Sequence, residues 1–94
     1  MTANWPTTYE EAVARLLEET DDELLYKLKT TPKSELHKWH WFLGMTIRER
    51  YGLWRGNTAL LKSCAARGGG YEPDNTSMTI IKGAWAQLRE ASSG

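Results

Sequence analysis

Ninety-four residues bound the chain to one domain, and twelve basic against twelve acidic side chains leave it without net charge. That balance excludes a general binder of the nucleic-acid backbone, which needs a basic excess. The single cysteine, Cys64, excludes an internal disulfide and a cysteine-based zinc cage, and no apolar run approaches the ~18 residues of a membrane span.

The charge is uneven along the chain. Residues 1–32 hold seven acids and three bases, a net of −4, and residues 33–94 hold five acids and nine bases, a net of +4. Either the two parts attract each other, or the second attracts a small anion or an acidic partner. Met1 to Trp5 carries neither a basic segment nor an apolar core, so no signal peptide is expected. With one cysteine and no disulfide, the expected compartment is the cytoplasm.

The patterning predicts an all-α domain of about five helices over residues 1–91, followed by a disordered tail at 92–94. The first helix opens at Thr7 or Thr8, because Thr7 with Glu10 and Thr8 with Glu11 both have capping-box spacing. Its apolar stripe is Tyr9, Ala12, Val13, Leu16 and Leu17. Thr20 with Glu23 opens a short second helix that carries Leu24, Leu25 and Leu28. The acidic run from Glu18 to Glu23 at this junction reads as a solvated face that favours a helix start.

Thr31-Pro32 resets the chain, since proline suits the first helical position. A long central helix is expected from about 32 to 51, with Gly52 as its stop. At 100° per residue Leu36, Leu43 and Ile47 share a face, flanked by Trp39 and His40, while Trp41, Phe42 and Met45 point elsewhere. A helix apolar nearly all round is buried on more than one side, which predicts either a central position or a homo-oligomer interface. Asn57 is expected to cap a fourth helix from Thr58 to about Ala66, with Leu60, Leu61 and Cys64 inward. Gly68-Gly69-Gly70 reads as a loop. Asp74 or Asn75 is expected to cap the last helix, whose stripe is Met78, Ile81, Ala84, Trp85 and Leu88.

Chemistry concentrates between residues 40 and 57. His40, Gly44 and Arg48 recur at four-residue spacing and form one line on a helix. Glycine inside a helix costs ~1 kcal/mol relative to alanine, so something compensates for Gly44. Either another helix crosses closely over it, or a ligand lies in the gap between His40 and Arg48. Arg48, Arg50 and Arg55 fall within eight residues, and arginine suits phosphate and carboxylate because its fork makes two parallel bonds. A helix C-terminus favours cations anyway, which accounts for Arg48 and Arg50 but not for Arg55 beyond Gly52. Trp54 is either a stacking surface for a base or a plug for the bottom of the bundle. Asn57 and Ser77 sit at helix starts, where capping and anion binding use the same groups.

Enzyme signatures are missing: no Gly-x-Ser-x-Gly, no phosphate loop and no His-Glu-x-x-His. His37 and His40 lack an evident third ligand, so neither a metal site nor a cofactor is expected.

His40-x3-Gly44-x2-Ile47-Arg48, Gly52-Leu53-Trp54, Asn57, Pro73-Asp74, Ser77 and Ile80 or Ile81, with Glu10 to Val13 near the start, make up a wider pattern. It resembles a small helical family of unknown function found in bacteria and phages. That family often has His before Pro-Asp-Asp, where this chain has Tyr71-Glu72-Pro73-Asp74-Asn75. In size and in its clustered aromatic, Arg and Asn groups the chain is also similar to phage proteins that sequester cyclic nucleotide signals of bacterial immunity. The resemblance implies a non-catalytic binder of a small anionic ligand, such as a cyclic nucleotide. Arg48 and Arg55 would take phosphate, Trp54 would stack, Asn57 and Ser77 would hydrogen-bond polar edges, and His40 would form the floor. The competing expectation is a protein–protein module that uses its aromatic surface. No membrane and no nucleic-acid polymer is expected as a partner.

Overall fold

A computed structural model describes residues 5–68 and 70–93, without the side chains of 92 and 93. The tail expected at 92–94 and the middle of the expected glycine loop, Gly69, fall outside the residues described in full. In chain order come α1 (Tyr9–Glu19), α2 (Asp22–Lys29), a 3-10 helix (Lys33–His40), α3 (Leu43–Arg50), α4 (Thr58–Ala65) and α5 (Pro73–Ser93). The all-α expectation holds among the described residues. None of these helices is long and apolar enough to cross a membrane.

Two of the expected caps form as read. Thr8 Oγ1 accepts from the Glu11 amide at 3.1 Å, and Asn57 Oδ1 accepts from the Leu60 amide at 3.3 Å. Two others move by a residue or more. Asp21, not Thr20, caps α2, its carboxylate accepting from the Leu24 amide at 2.9 Å. Thr20 instead closes α1, donating its hydroxyl to the Leu16 carbonyl at 2.6 Å. The last helix starts at Pro73 itself, with the Thr76 amide bonded to the Glu72 carbonyl at 2.9 Å. Asp74 and Asn75 therefore lie in its first turn, where Asp74 is stabilised by the positive helix end.

The continuous helix expected from about 32 to 51 is a correction. Lys33–His40 winds as a 3-10 helix, Trp41 and Phe42 form a turn, and α3 begins at Leu43. The reason lies in the rings. A period near three residues puts Leu36, Trp39 and Phe42 along one edge. Leu36 enters the core, Trp39 is half-buried with its indole N–H on Thr31 Oγ1 at 3.1 Å, and Phe42 stacks on Trp39 at 6.3 Å between centroids. The break then re-aims the chain so that Gly44, Ile47 and Arg48 of α3 are buried. The helix that is apolar on many sides resolves its conflict by breaking.

The centre belongs to α5, which packs against each of the other five helical segments. Its Thr76, Ser77, Ile80, Ile81 and Ala84 are buried, with Met78, Trp85 and Leu88 packed at the edge. Ile80 and Ile81 meet Val13, Leu28, Leu36, Ile47 and Leu60 in one core. Replacing such a residue with alanine costs about 2–5 kcal/mol. Gly83 sits where α1 crosses α5, and a Cβ there would overlap the Tyr9 hydroxyl. Trp85 donates its indole N–H to the Thr31 carbonyl at 2.8 Å, so Thr31 receives both half-buried indoles.

Below the core the segment before α1 and the turn before α4 are joined. Asn57 Nδ2 donates to the Pro6 carbonyl at 2.9 Å and to the Tyr51 carbonyl at 2.7 Å. Gly52 has φ of +69°, and the Trp5 ring lies where a Cβ at Gly52 would be. Asn57 thus has three interactions, all buried.

Asn57→Ala should cost about 2–4 kcal/mol in chemical denaturation, because two carbonyls and one amide lose their partner. Asn57→Asp is the sharper variant. Aspartate is as good a cap in isolation, but here it removes two donors and sets a carboxylate against two carbonyls. It should be at least as damaging, and an Asp variant as stable as wild type would refute the three-way role. Thr76 Oγ1 is buried without a partner. Thr76→Val, which keeps the shape and removes the unpaired hydroxyl, should raise stability by about 1 kcal/mol.

Candidate functional site

The end of the 3-10 helix brings His40, and α3 brings Gly44 and Arg48, to one buried point. Arg48 is 4% exposed. Its Nη1 donates to Ser77 Oγ at 3.1 Å, its Nε lies 3.5 Å from Asp74 Oδ1, and its Nη2 reaches the His40 carbonyl at 3.5 Å. Ser77 Oγ in turn donates to the Asp74 carbonyl at 2.8 Å. A Cβ at Gly44 would stand 2.9 Å from Arg48 Nη1 and 3.5 Å from Ser77 Oγ. The gap over Gly44 is therefore filled by the guanidinium of Arg48 itself, pinned against the first turn of α5. A buried guanidinium needs this much hydrogen bonding, since an uncompensated one would cost several kcal/mol.

The six candidate residues separate into three places. His40, Arg48 and Ser77 meet at this node, His40 through its carbonyl, while its ring stands edge-on to Trp41 at 5.1 Å. Asn57 is held beneath the turn by the bonds described above. Trp54 and Arg55 come together at the tip of the turn between α3 and α4. That turn is tightly wound: the Leu53 amide bonds the Arg48 carbonyl at 3.1 Å, and the Arg55 and Asn57 amides both bond the Gly52 carbonyl, at 2.9 and 3.1 Å. Leu53 points into the core, and Trp5 covers Gly52. These two close the bottom of the bundle. Trp54 does not plug it, being 62% exposed.

A cleft of about 480 Å3 opens beside this tip, lined by Arg48, Glu49, Arg50, Trp54 and Arg55. Three guanidinium groups face one carboxylate. Arg48 is shared with Asp74, and Arg50 has Glu19 at 3.8 Å with both groups well exposed. Arg55 has no side-chain partner among the described residues. The end of α3 carries the negative end of its dipole, where the Ile47 and Arg48 carbonyls accept from the Tyr51 and Leu53 amides. Against three guanidinium groups these partial charges are small, so the arginines set the sign of the cleft. Arg50 and Glu49 complete it, and the sequence signal for them was their place on the last turn of the helix beside Arg48.

Burial pushes the Cys64 thiol up to about 11, so it stays protonated, and burial also raises Tyr51. Among the described residues no group of three His, Cys, Asp or Glu side chains is placed to hold a metal ion.

Residues 5–88 match a family described as a domain of unknown function (DUF6794). No curated protein and no solved structure matches the chain.

The node makes a double-mutant cycle informative. In wild type, Gly44→Ala gains ~1 kcal/mol of helix propensity but displaces charged hydrogen bonds worth about 1.5–3 kcal/mol each, so stability should fall. In an Arg48→Ala background the methyl meets no guanidinium and should stabilise by up to ~1 kcal/mol. The two changes should be coupled by more than about 1 kcal/mol, and simple additivity in urea melts would refute the node.

Proposed function

This chain belongs to the DUF6794 family, and we propose that it is a non-catalytic binder of a small anion bearing a flat ring, of mononucleotide type. The observation that supports this reading is the Trp54–Arg55 pair, an exposed ring beside an unpaired guanidinium on a turn braced from beneath. Aromatic and arginine together provide a platform for a base and a fork for its phosphate. Arg50 adds a second cation once it leaves Glu19, an exposed pair worth under ~1 kcal/mol. Glu49 offers an acceptor to a ring amine and disfavours a second anionic group beside it.

Arg48 contributes differently from the role expected of it. Its hydrogen bonds go to the fold, so it adds positive potential at the cleft wall while Arg55 and Arg50 make the contacts. Ser77, Asn57 and His40 support the site through Arg48 and through the turn. Stacking of ~1–3 kcal/mol and one or two charged hydrogen bonds of ~1.5–3 kcal/mol sum to roughly 2.5–9 kcal/mol, whose midpoint corresponds to a dissociation constant on the order of 0.1 mM. A cyclic nucleotide fits this chemistry as well as a linear one.

Titration calorimetry at low salt against linear and cyclic mononucleotides and inorganic phosphate tests the reading. Arg55→Ala should weaken every anion at least about tenfold while the melting temperature stays within a few degrees, since its head is exposed and unpaired. Trp54→Ala should lose the ring-bearing ligands and keep the affinity for inorganic phosphate. Wild-type protein that binds none of the panel, or an Arg55→Ala variant that binds as wild type does, would overturn the proposal.

A further inference from the structure

Arg50 stands between two hollows. On one side it lines the cleft of Trp54 and Arg55, and on the other a smaller depression of about 210 Å3 whose wall includes Glu19 and Tyr51. Glu19 lines the second hollow and not the cleft. Its carboxylate, at the end of α1, lies 3.8 Å from Arg50 Nη1, on the last turn of α3. The two side chains are 41% and 65% exposed, so the pair sits at the surface and can open.

The surroundings of Glu19 suit an anion. The Tyr51 phenol is buried, and burial first, then the Glu19 charge, hold it above its ordinary value, so its hydroxyl stays a donor toward that carboxylate. Arg15, one turn earlier on α1, acts on the same phenol with the opposite sign. Glu19 thus occupies, on Arg50, the place that a ligand phosphate would otherwise take.

We propose that Glu19 sets how much ligand charge the cleft accepts, by holding Arg50 on the far side. The inference rests on the reading of the cleft as a phosphate site. Of its three guanidinium groups, Arg48 is held by Asp74 and Ser77, and Arg50 by Glu19. Arg55 is left as the one without a side-chain partner among the described residues. Glu49 in the same wall further limits the charge that can enter.

One unpaired guanidinium matches one negative charge. A phosphodiester, such as the ring of a cyclic nucleotide, carries one, and Arg55 meets it without disturbing Arg50. A terminal phosphate carries nearly two above its second pKa of about 6, and its extra charge finds a partner only by drawing Arg50 off Glu19. Opening an exposed pair costs up to about fivefold in an equilibrium constant, which offsets much of the added attraction. Glu19 therefore levels two ligand classes that free arginines would rank by charge. It acts through Arg50 and touches no ligand, so it is a positioning residue. A plain surface clamp between α1 and α3 would change stability and leave selectivity alone.

Calorimetric titration with adenosine monophosphate and with its cyclic phosphodiester separates these roles. A pH of about 8 makes the linear form a dianion, and about 0.1 M salt damps the direct field of Glu19. Wild type should bind the two within about threefold of each other. Glu19→Gln keeps the shape and an acceptor for Tyr51 while freeing Arg50. It should tighten the cyclic ligand about two- to threefold and the linear one about four- to ninefold, since attraction to the freed charge scales with ligand charge. In an Arg50→Ala background the same substitution should change neither affinity by more than about twofold. An unchanged preference in Glu19→Gln, or a gain that survives Arg50→Ala, would overturn the role of Glu19 and leave the reading of the cleft in place. If wild type binds neither nucleotide, that reading falls and Glu19→Gln still decides this one. Binding that appears with Glu19→Gln and is lost with Arg50→Ala then supports the hold on Arg50, and no binding in either variant overturns it.

Discussion

Arg48 is a full positive charge taken out of water, and three segments are arranged to make that tolerable. The first turn of α5 supplies Asp74 and Ser77, the end of the 3-10 helix supplies the His40 carbonyl, and α3 supplies the missing side chain at Gly44. Moving an ion of this size out of water costs several kcal/mol even after relaxation, so the node forms whole or the charge stays outside. It fixes where α3 meets α5, and through α3 it fixes both the turn that carries Trp54 and the turn that carries Trp41. A buried ion pair adds little net stability compared with an apolar pair of the same volume. Its effect here is geometric: Arg48 meets all three partners only when α3, the first turn of α5 and the end of the 3-10 helix are placed together.

The local chemistry of the fold was legible in the sequence where it depended on neighbours along the chain. Thr8 with Glu11, Asn57 before Thr58, and the stripe of α1 read correctly because caps and periodicity are short-range, whereas the stripe expected of α5 left out the buried Ile80 and centred on residues that pack at its edge. The break at Trp41–Phe42 was not legible. Twenty residues of apolar and helix-favouring character fit a continuous helix, and what overrides this is the packing of Leu36 and Trp39 beneath α5. The same holds for Thr31, whose pairing with two indoles joins positions 54 residues apart. Gly83 passed unnoticed because a glycine within a helix shows its purpose only when the Tyr9 hydroxyl is seen above it.

The candidate site was legible as a region and not as a constellation. The run from His40 to Asn57 does hold the node and the cleft. Their separation into a buried half and an exposed half depends on which way each side chain turns at the end of α3. Spacing alone placed His40, Gly44 and Arg48 on one line of one helix, but the chain breaks between His40 and Gly44, and His40 meets Arg48 only through its carbonyl. Spacing could not show that Arg48 folds back over Gly44. α3 is eight residues, roughly 12 Å long, with the exposed apolar ridge of Trp41, Phe42 and Met45 at its start and the cleft at its end. The two exposed surfaces are thus held at a fixed distance by one short helix.

The five tryptophans are distributed over three kinds of environment. Trp39 and Trp85 have their indole N–H groups bonded to Thr31 in a half-buried seat, and Trp5 lies over the α-carbon of Gly52. Trp41 stands on the ridge and Trp54 at the cleft, both largely in water. The chain therefore carries its own set of optical probes. The emission of Trp39 and Trp85 follows the docking of α5, that of Trp5 follows the closing of the lower turn, and Trp41 and Trp54 emit from the solvent. Single Trp→Phe replacements would divide one composite spectrum into local readings of core, turn, ridge and cleft, with no label attached.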